Sequence, residues 1–253
     1  MAELVDALVS GTSAARRGGS SPLLGTNLRR AAAKVEALRL GKPPRGESDG
    51  MKIRLHQNDL PAGLELGPTV AIDTETLGLN PGRDRLCLVQ LSSGDDSAHL
   101  VQFRRDQYAA PNLKRLLADP KVLKLYHFAR FDLATMRRYL GVMAAPVYCT
   151  RTASKLARTY TDKHGLKDLV KELLEVELSK QQQSSDWGAE TLTEQQLAYA
   201  ANDVAYLHRL KNVLDQMLKR EGRMELAQAC FDFLPGRAEL DLAGWSEGDI
   251  FAH

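Results

Sequence analysis

The sequence is short of the residues that most readily narrow a protein's class. Cysteine occurs three times, at 87, 149 and 230. The three lie too far apart for a C-x-x-C pair. That speaks against a disulfide framework and a zinc centre, and suits a reducing compartment such as the cytoplasm. Neither sign of charge dominates, with 34 Lys and Arg against 32 Asp and Glu and a formal net charge of +2. A uniformly basic coat for duplex nucleic acid is therefore excluded, and a nucleic-acid substrate would have to be held locally and by metal. No apolar run approaches the roughly 20 residues of a membrane span. Aromatic residues make up only 6% of the chain, and the first 50 residues contain none. What is present, 43% hydrophobic and 26% charged residues in a chain of 253, suits one globular domain with a sizeable core, alone or with a tail.

Residues 1–50 stand apart in composition. They hold "AARRGGSSPLLG" and "LGKPPRGESDG", with 8 basic and 5 acidic residues. We expect a flexible, disordered extension there, either a leader or sequence upstream of an alternative start at Met51. A targeting peptide is disfavoured by the early Glu3 and Asp6 and by the lack of an apolar signal core. From Met51 the pattern alternates. Strands are expected at 52–56, 69–74, 86–91, 98–103 and 122–126, and helices at 111–118, 130–140, 151–160 and 166–176. One long helix is expected from about 194 to 220. It opens on a capping box of Thr193 and Gln196, with Leu192 and Leu197 placed as a hydrophobic staple. The order implies an α/β domain, a mixed sheet flanked by helices. Residues 221–253 are expected to form a helical tail whose Trp245, Ile250 and Phe251 either fold back or dock on a neighbour.

The chemistry concentrates in three places. In "VAIDTETLGLN", Asp73 and Glu75 lie two apart on a strand and so share a face, with Thr74 opposite. In "YHFARFDLATM", Asp132 follows Phe131 at the start of a helix. On the long helix, Tyr199 and Asp203 are i,i+4 neighbours. Like charges crowded beside a core need a neutralising partner. Hard carboxylate oxygens suit Mg²⁺ or Mn²⁺ rather than zinc. Two such ions can activate a water and stabilise the leaving oxygen of one in-line displacement at phosphorus, with Tyr199 orienting the water.

Asp73-x-Glu75, Phe131-Asp132 and Tyr199-x-x-x-Asp203 together resemble the three motifs of the DEDD 3′–5′ exonucleases of the tyrosine subtype. The histidine subtype would need a histidine one position before Tyr199, where Ala198 stands. The segment "SDWGAETLTEQQLAYAANDVAYL" resembles the ribonuclease D branch. The exonuclease match covers about residues 51–220, and "LGLNPGRDRLCLVQLS" and the ending "FDFLPGRAELDLAGWSEGDIFAH" resemble the nanoRNase C group, stand-alone diribonucleotidases of alphaproteobacteria. The resemblance implies a ribonuclease H-like fold and two metal ions held by Asp73, Glu75, Asp132 and Asp203. It also implies a cytoplasmic exoribonuclease that cleaves dinucleotides and very short RNA to 5′-mononucleotides. Leu79 matches a leucine that wedges between the two bases, and a homo-oligomer, octameric in that group, is implied as partner. Further substrate contacts are expected from Thr74, His127, Phe131, Lys180, Gln183, Ser185 and Trp187. Arg83 and Arg85 either meet phosphates or pair with Asp84. Competing readings are an exonuclease that trims longer RNA or degrades DNA, a catalytically silent nucleic-acid-binding scaffold, and a phosphatase of small monoesters.

Overall fold

The computed structural model describes residues 51–178, 185–248 and 250–252. The N-terminal extension, Lys180 and Gln183 lie outside them. Six strands form one sheet in the order β1-β4-β3-β2-β5-β6. They are β1 Lys52–Gln57, β2 Thr69–Thr76, β3 Leu86–Ser92, β4 Ser97–Gln102, β5 Leu123–Tyr126 and β6 Val147–Cys149. β2–β3–β4 is an antiparallel meander, while β5 and β6 add in parallel on one side and β1 adds in parallel to β4 on the other. The result is the expected ribonuclease H-like mixed sheet flanked by helices. β3 is buried along its whole length, as a central strand covered on both faces must be. β6 is an addition to the expected strands. Its three residues, "VYC", are too few to show a period in sequence.

The helices are α1 Pro111–Ala118, α2 Ala129–Leu140, α3 Thr150–Ala157, α4 Leu166–Leu174, α5 Glu194–Ala205, α6 Leu207–Arg220 and α7 Met224–Leu240. Four expected helices appear within a few residues of their sequence limits. The long helix does not. It breaks at Tyr206, whose φ of −105° and ψ of −5° stay in the right-handed region but depart from regular α-helical values. No proline or glycine causes the break. The two halves dock on different partners: α5 lies over β2, β3 and β4, whereas α6 packs against α3, α4, α7 and β5. One straight rod could not bury both faces.

Two features of the fold set up the site. β5 runs beside β2 in parallel and ends level with its middle, Ala71 facing Leu125. The chain then turns into α2 through His127 and Phe128, with Phe128 in the left-handed region at φ 70°. A bulky residue there is strained and persists only where its surroundings enforce it. The turn delivers the first turn of α2 next to the second half of β2. At the other end, α7 buries Ala227, Phe231 and Ala238, with the Phe231 ring 4.5 Å from that of Tyr148. A turn at Asp241–Trp245 follows. Arg130 of α2 grips it, donating from Nε to Asp241 Oδ2 at 2.5 Å and from Nη2 to the Ser246 carbonyl at 2.5 Å. Arg237 donates to Asp241 Oδ1 at 2.7 Å. None of the described helices is long and apolar enough to cross a membrane.

The N-terminus of α5 carries the reciprocal capping box expected from sequence. Gln196 N donates to Thr193 Oγ1 at 3.2 Å, and Thr193 N donates to Gln196 Oε1 at 2.9 Å. Replacing Thr193 with Ala is expected to lower unfolding free energy by about 1 kcal/mol in urea titration. The slope should stay unchanged, because a lost cap alters stability and not the surface exposed.

Candidate active site

β2 delivers two acids to one face because its side chains alternate. Asp73 lies across from Gln90 of β3 and Glu75 across from Leu88. α5 covers this face and contributes Asp203. The carboxylate oxygens of Asp73, Glu75 and Asp203 lie within 4.8 Å of one another. Asp132, buried in the first turn of α2, stands beside this trio, and its Oδ1 accepts a hydrogen bond from Thr74 Oγ1 at 2.6 Å. The hydroxyl on the opposite side of β2 thus holds the fourth acid in place.

Crowding without counter-charge shows in the electrostatics. Burial raises the Asp73 carboxyl to about 7. Burial raises Glu75 well above the usual carboxylate range, and the charges of Asp73, Asp203 and Asp132 push it further. Asp132 and Asp203 are raised by burial first and then by Asp73. Among the described residues, no basic side chain lowers these carboxyls. The described residues therefore supply hard oxygen donors, and a divalent ion of the Mg²⁺ or Mn²⁺ type fits that donor set.

Tyr199 precedes Asp203 by four residues on α5, half-buried, its ring centroid 6.1 Å from that of Trp187. Trp187 is 1% exposed, a core residue whose ring backs Tyr199. Its loop is pinned from three elements: Arg85 donates to the Gly188 carbonyl, Gln102 to Ala189 and Glu190, and Gln196 to Asp186. A polar connector in sequence is therefore a fixed strap in space. Ser185 lies at its start, half-buried. His127 is buried, with Nδ1 2.9 Å from Thr150 Oγ1, and Phe131 is half-buried beside Asp132.

The loop after β2 is built around Asp84, which accepts from Asn80 N at 3.0 Å and is paired with Arg83 at 2.6 Å. A Cβ on Gly78 would fall 2.2 Å from Asp84 Oδ2, so a larger residue there would displace that carboxylate. The loop presents Leu79, 41% exposed, and also Leu77, 53% exposed. Leu77 escapes a sequence reading because it looks like the last apolar residue of a strand. Arg83 is committed to Asp84. Arg85 is tied to the carbonyls of Phe103 and Gly188. Both are framework residues in this structure. Arg85, Leu77, Arg104, Tyr108 and Tyr139 line a cleft of about 1050 Å³ beside the loop.

Comparison with known proteins places this arrangement in context. The model of a family described as 3′–5′ exonuclease matches residues 57–219. A ribonuclease D from Gluconacetobacter diazotrophicus is 37% identical over 162 residues, covering 64% of this chain and 41% of that protein. The chain thus spans less than half the length of the curated relative it matches. Among solved structures, Brucella melitensis NrnC bound to pGG is 59% identical with a TM-score of 0.78, covering 80% of this chain and 99% of that one. The same protein with bound Mg²⁺ gives 58% identity and a TM-score of 0.77, covering 80% and 100%.

The raised carboxyls predict an unusual stability profile for the metal-free protein. Asp73 binds its proton more tightly folded than unfolded, so the folded state holds the excess protons between its value of about 7 and the ordinary 3.8. Stability should therefore rise as pH falls through that window and be lost as pH climbs back through 7. Thermal melts in chelator from pH 8 to pH 5 should show this upward trend. The trend should be shallower in Asp73→Asn and should flatten when Mn²⁺ is added.

Proposed function

The chain belongs to the 3′–5′ exonuclease family, in the branch of ribonuclease D and NrnC, and from that premise we propose that it hydrolyses dinucleotides and very short RNA to 5′-mononucleotides using two Mg²⁺ or Mn²⁺ ions. The observation that carries the reading is the convergence of Asp73, Glu75 and Asp203 from a strand and a helix, with Tyr199 one turn before Asp203. Asp73, Glu75, Asp132 and Asp203 would hold the ions. Divalent ions bound there would lower the pKa of a water and offset charge on the leaving oxygen. Tyr199 orients the attacking water through its hydroxyl, and the ring of Trp187 limits the positions that hydroxyl can take. Thr74 keeps Asp132 from swinging towards solvent. Water attacks phosphorus, the bond from phosphorus to the 3′ oxygen breaks, and that oxygen leaves with a proton on the shortened chain.

The preference for short substrates is supported by the 59% identity with NrnC, whose solved complex contains pGG, and by the two exposed leucines beside the acids. Leu79 and Leu77 offer apolar tips on which a base can pack. The exonuclease domain spans 51–220, and the helical tail 221–253 carries exposed Trp245, Phe251, Phe233 and Leu226. We read that apolar surface as the contact of a homo-oligomer, an octamer in the cytoplasm. Light scattering should then give a mass near eight times 27.9 kDa.

Turnover should be tested with Mn²⁺ on 5′-labelled pGpG beside a seven-mer and a 20-mer. The dinucleotide is expected to disappear fastest. Stepwise shortening of the long chains with pGpG persisting would instead support a longer-range exonuclease. Asp203→Asn should abolish cleavage while its metal-free melting temperature stays at or above that of the unaltered protein. Leu79→Ala should raise KM for pGpG about tenfold with little change in kcat.

A further inference from the structure

Gln90 lies on β3, the most deeply buried strand, and is itself fully buried. It sits directly across from Asp73 and shares its face of the sheet. Its Nε2 donates to Asp73 Oδ2 at 3.5 Å. Its Oε1 is buried and has no hydrogen-bond partner among the described residues. The side chains at the matching positions on either side are leucines: Leu88, opposite Glu75, and Leu100, opposite Gln90 on β4. A leucine at 90 would pack there without leaving an acceptor stranded. A carboxamide whose oxygen goes unsatisfied in a dry strand costs stability, and such costs are usually retained where the site needs them.

We propose that Gln90 is a positioning residue of the metal site, orienting Asp73 and through it setting how tightly the carboxylates hold a divalent cation. The inference rests on the metal-dependent reading above. An amide suits the task because it cannot ionise. It donates to one carboxylate oxygen and so fixes the plane of the group, without cancelling the negative charge that attracts a cation. A lysine or arginine in its place would neutralise Asp73, and a carboxylate would add a fifth like charge. The orphaned Oε1 faces the interior with its lone pairs open to a small donor, and water is the one that fits a buried polar niche.

The test is calorimetric titration of the full chain with Mn²⁺ alone, without substrate. Gln90→Leu should bind Mn²⁺ about tenfold or more weakly, while its metal-free melting temperature stays level or rises. A purely structural role would move the melting temperature and leave Mn²⁺ affinity unchanged. Unchanged affinity in a folded variant overturns the proposal. Gln90→Met, unbranched like glutamine, serves if the leucine does not fold, and failure of both to fold would assign Gln90 to the core and overturn it too. Asp203→Asn separates the two levels. If Asp203→Asn abolishes Mn²⁺ binding while Gln90→Leu keeps it, only this proposal fails. If Asp203→Asn binds Mn²⁺ like the unaltered protein, the metal site itself falls, and the role of Gln90 with it.

Discussion

Asp73 and Glu75 stand on one face of a buried strand and Asp203 closes on them from α5, so like charges are held together where water is scarce. Burial raises the proton affinity of all three; Asp73 raises that of Glu75 and Asp203 further, and Asp203 that of Glu75. A chain free to relax would splay these groups towards solvent. It does not, because each sits on an element fixed for other reasons. β2 is the centre of the sheet, α5 is capped and covers the sheet, and α2 is launched from β5 through a two-residue turn. The folding free energy of the whole domain is what keeps the repulsion in place, and a bound cation would turn that cost into affinity.

Support around the acids is layered. Thr74, on the far side of β2, reaches Asp132. Trp187 stands behind Tyr199, and its strap is pinned by Arg85, just before β3, and by side chains from β4 and α5. Leu77 and Leu79 are displayed by a loop whose shape depends on Gly78 yielding room to Asp84. The acids, Tyr199 and the exposed leucines are thus each held by a residue packed behind them, as expected when geometry within a fraction of an ångström matters.

Much of this was legible in the sequence. The alternation in "VAIDTET" placed Asp73 and Glu75 on one face, and the Thr193–Gln196 pair marked where α5 begins. Both are local patterns, set by the pleat and by capping. The break at Tyr206 was not legible, because it arises from two docking surfaces far apart in sequence. The burial of Trp187 was not legible, because "SSDWGAE" reads as a solvated connector and the loop's placement depends on partners at 85, 102 and 196. Gln90 was hidden in an apolar run, and only the strand register sets it against Asp73. Short-range rules reached the chemical groups, and long-range packing decided which neighbours tune them.

The grip of Arg130 on Asp241 and Ser246 ties a distant turn to the helix that carries Asp132. Arg130 is two residues from Asp132, and its guanidinium is held by a turn more than a hundred residues later in sequence. A chain cut before Asp241 would leave that cation without its partners at the root of α2. The turn at Asp241–Trp245 therefore works as a keystone: more than a hundred residues from Asp132 along the chain, yet bearing directly on the helix that carries it.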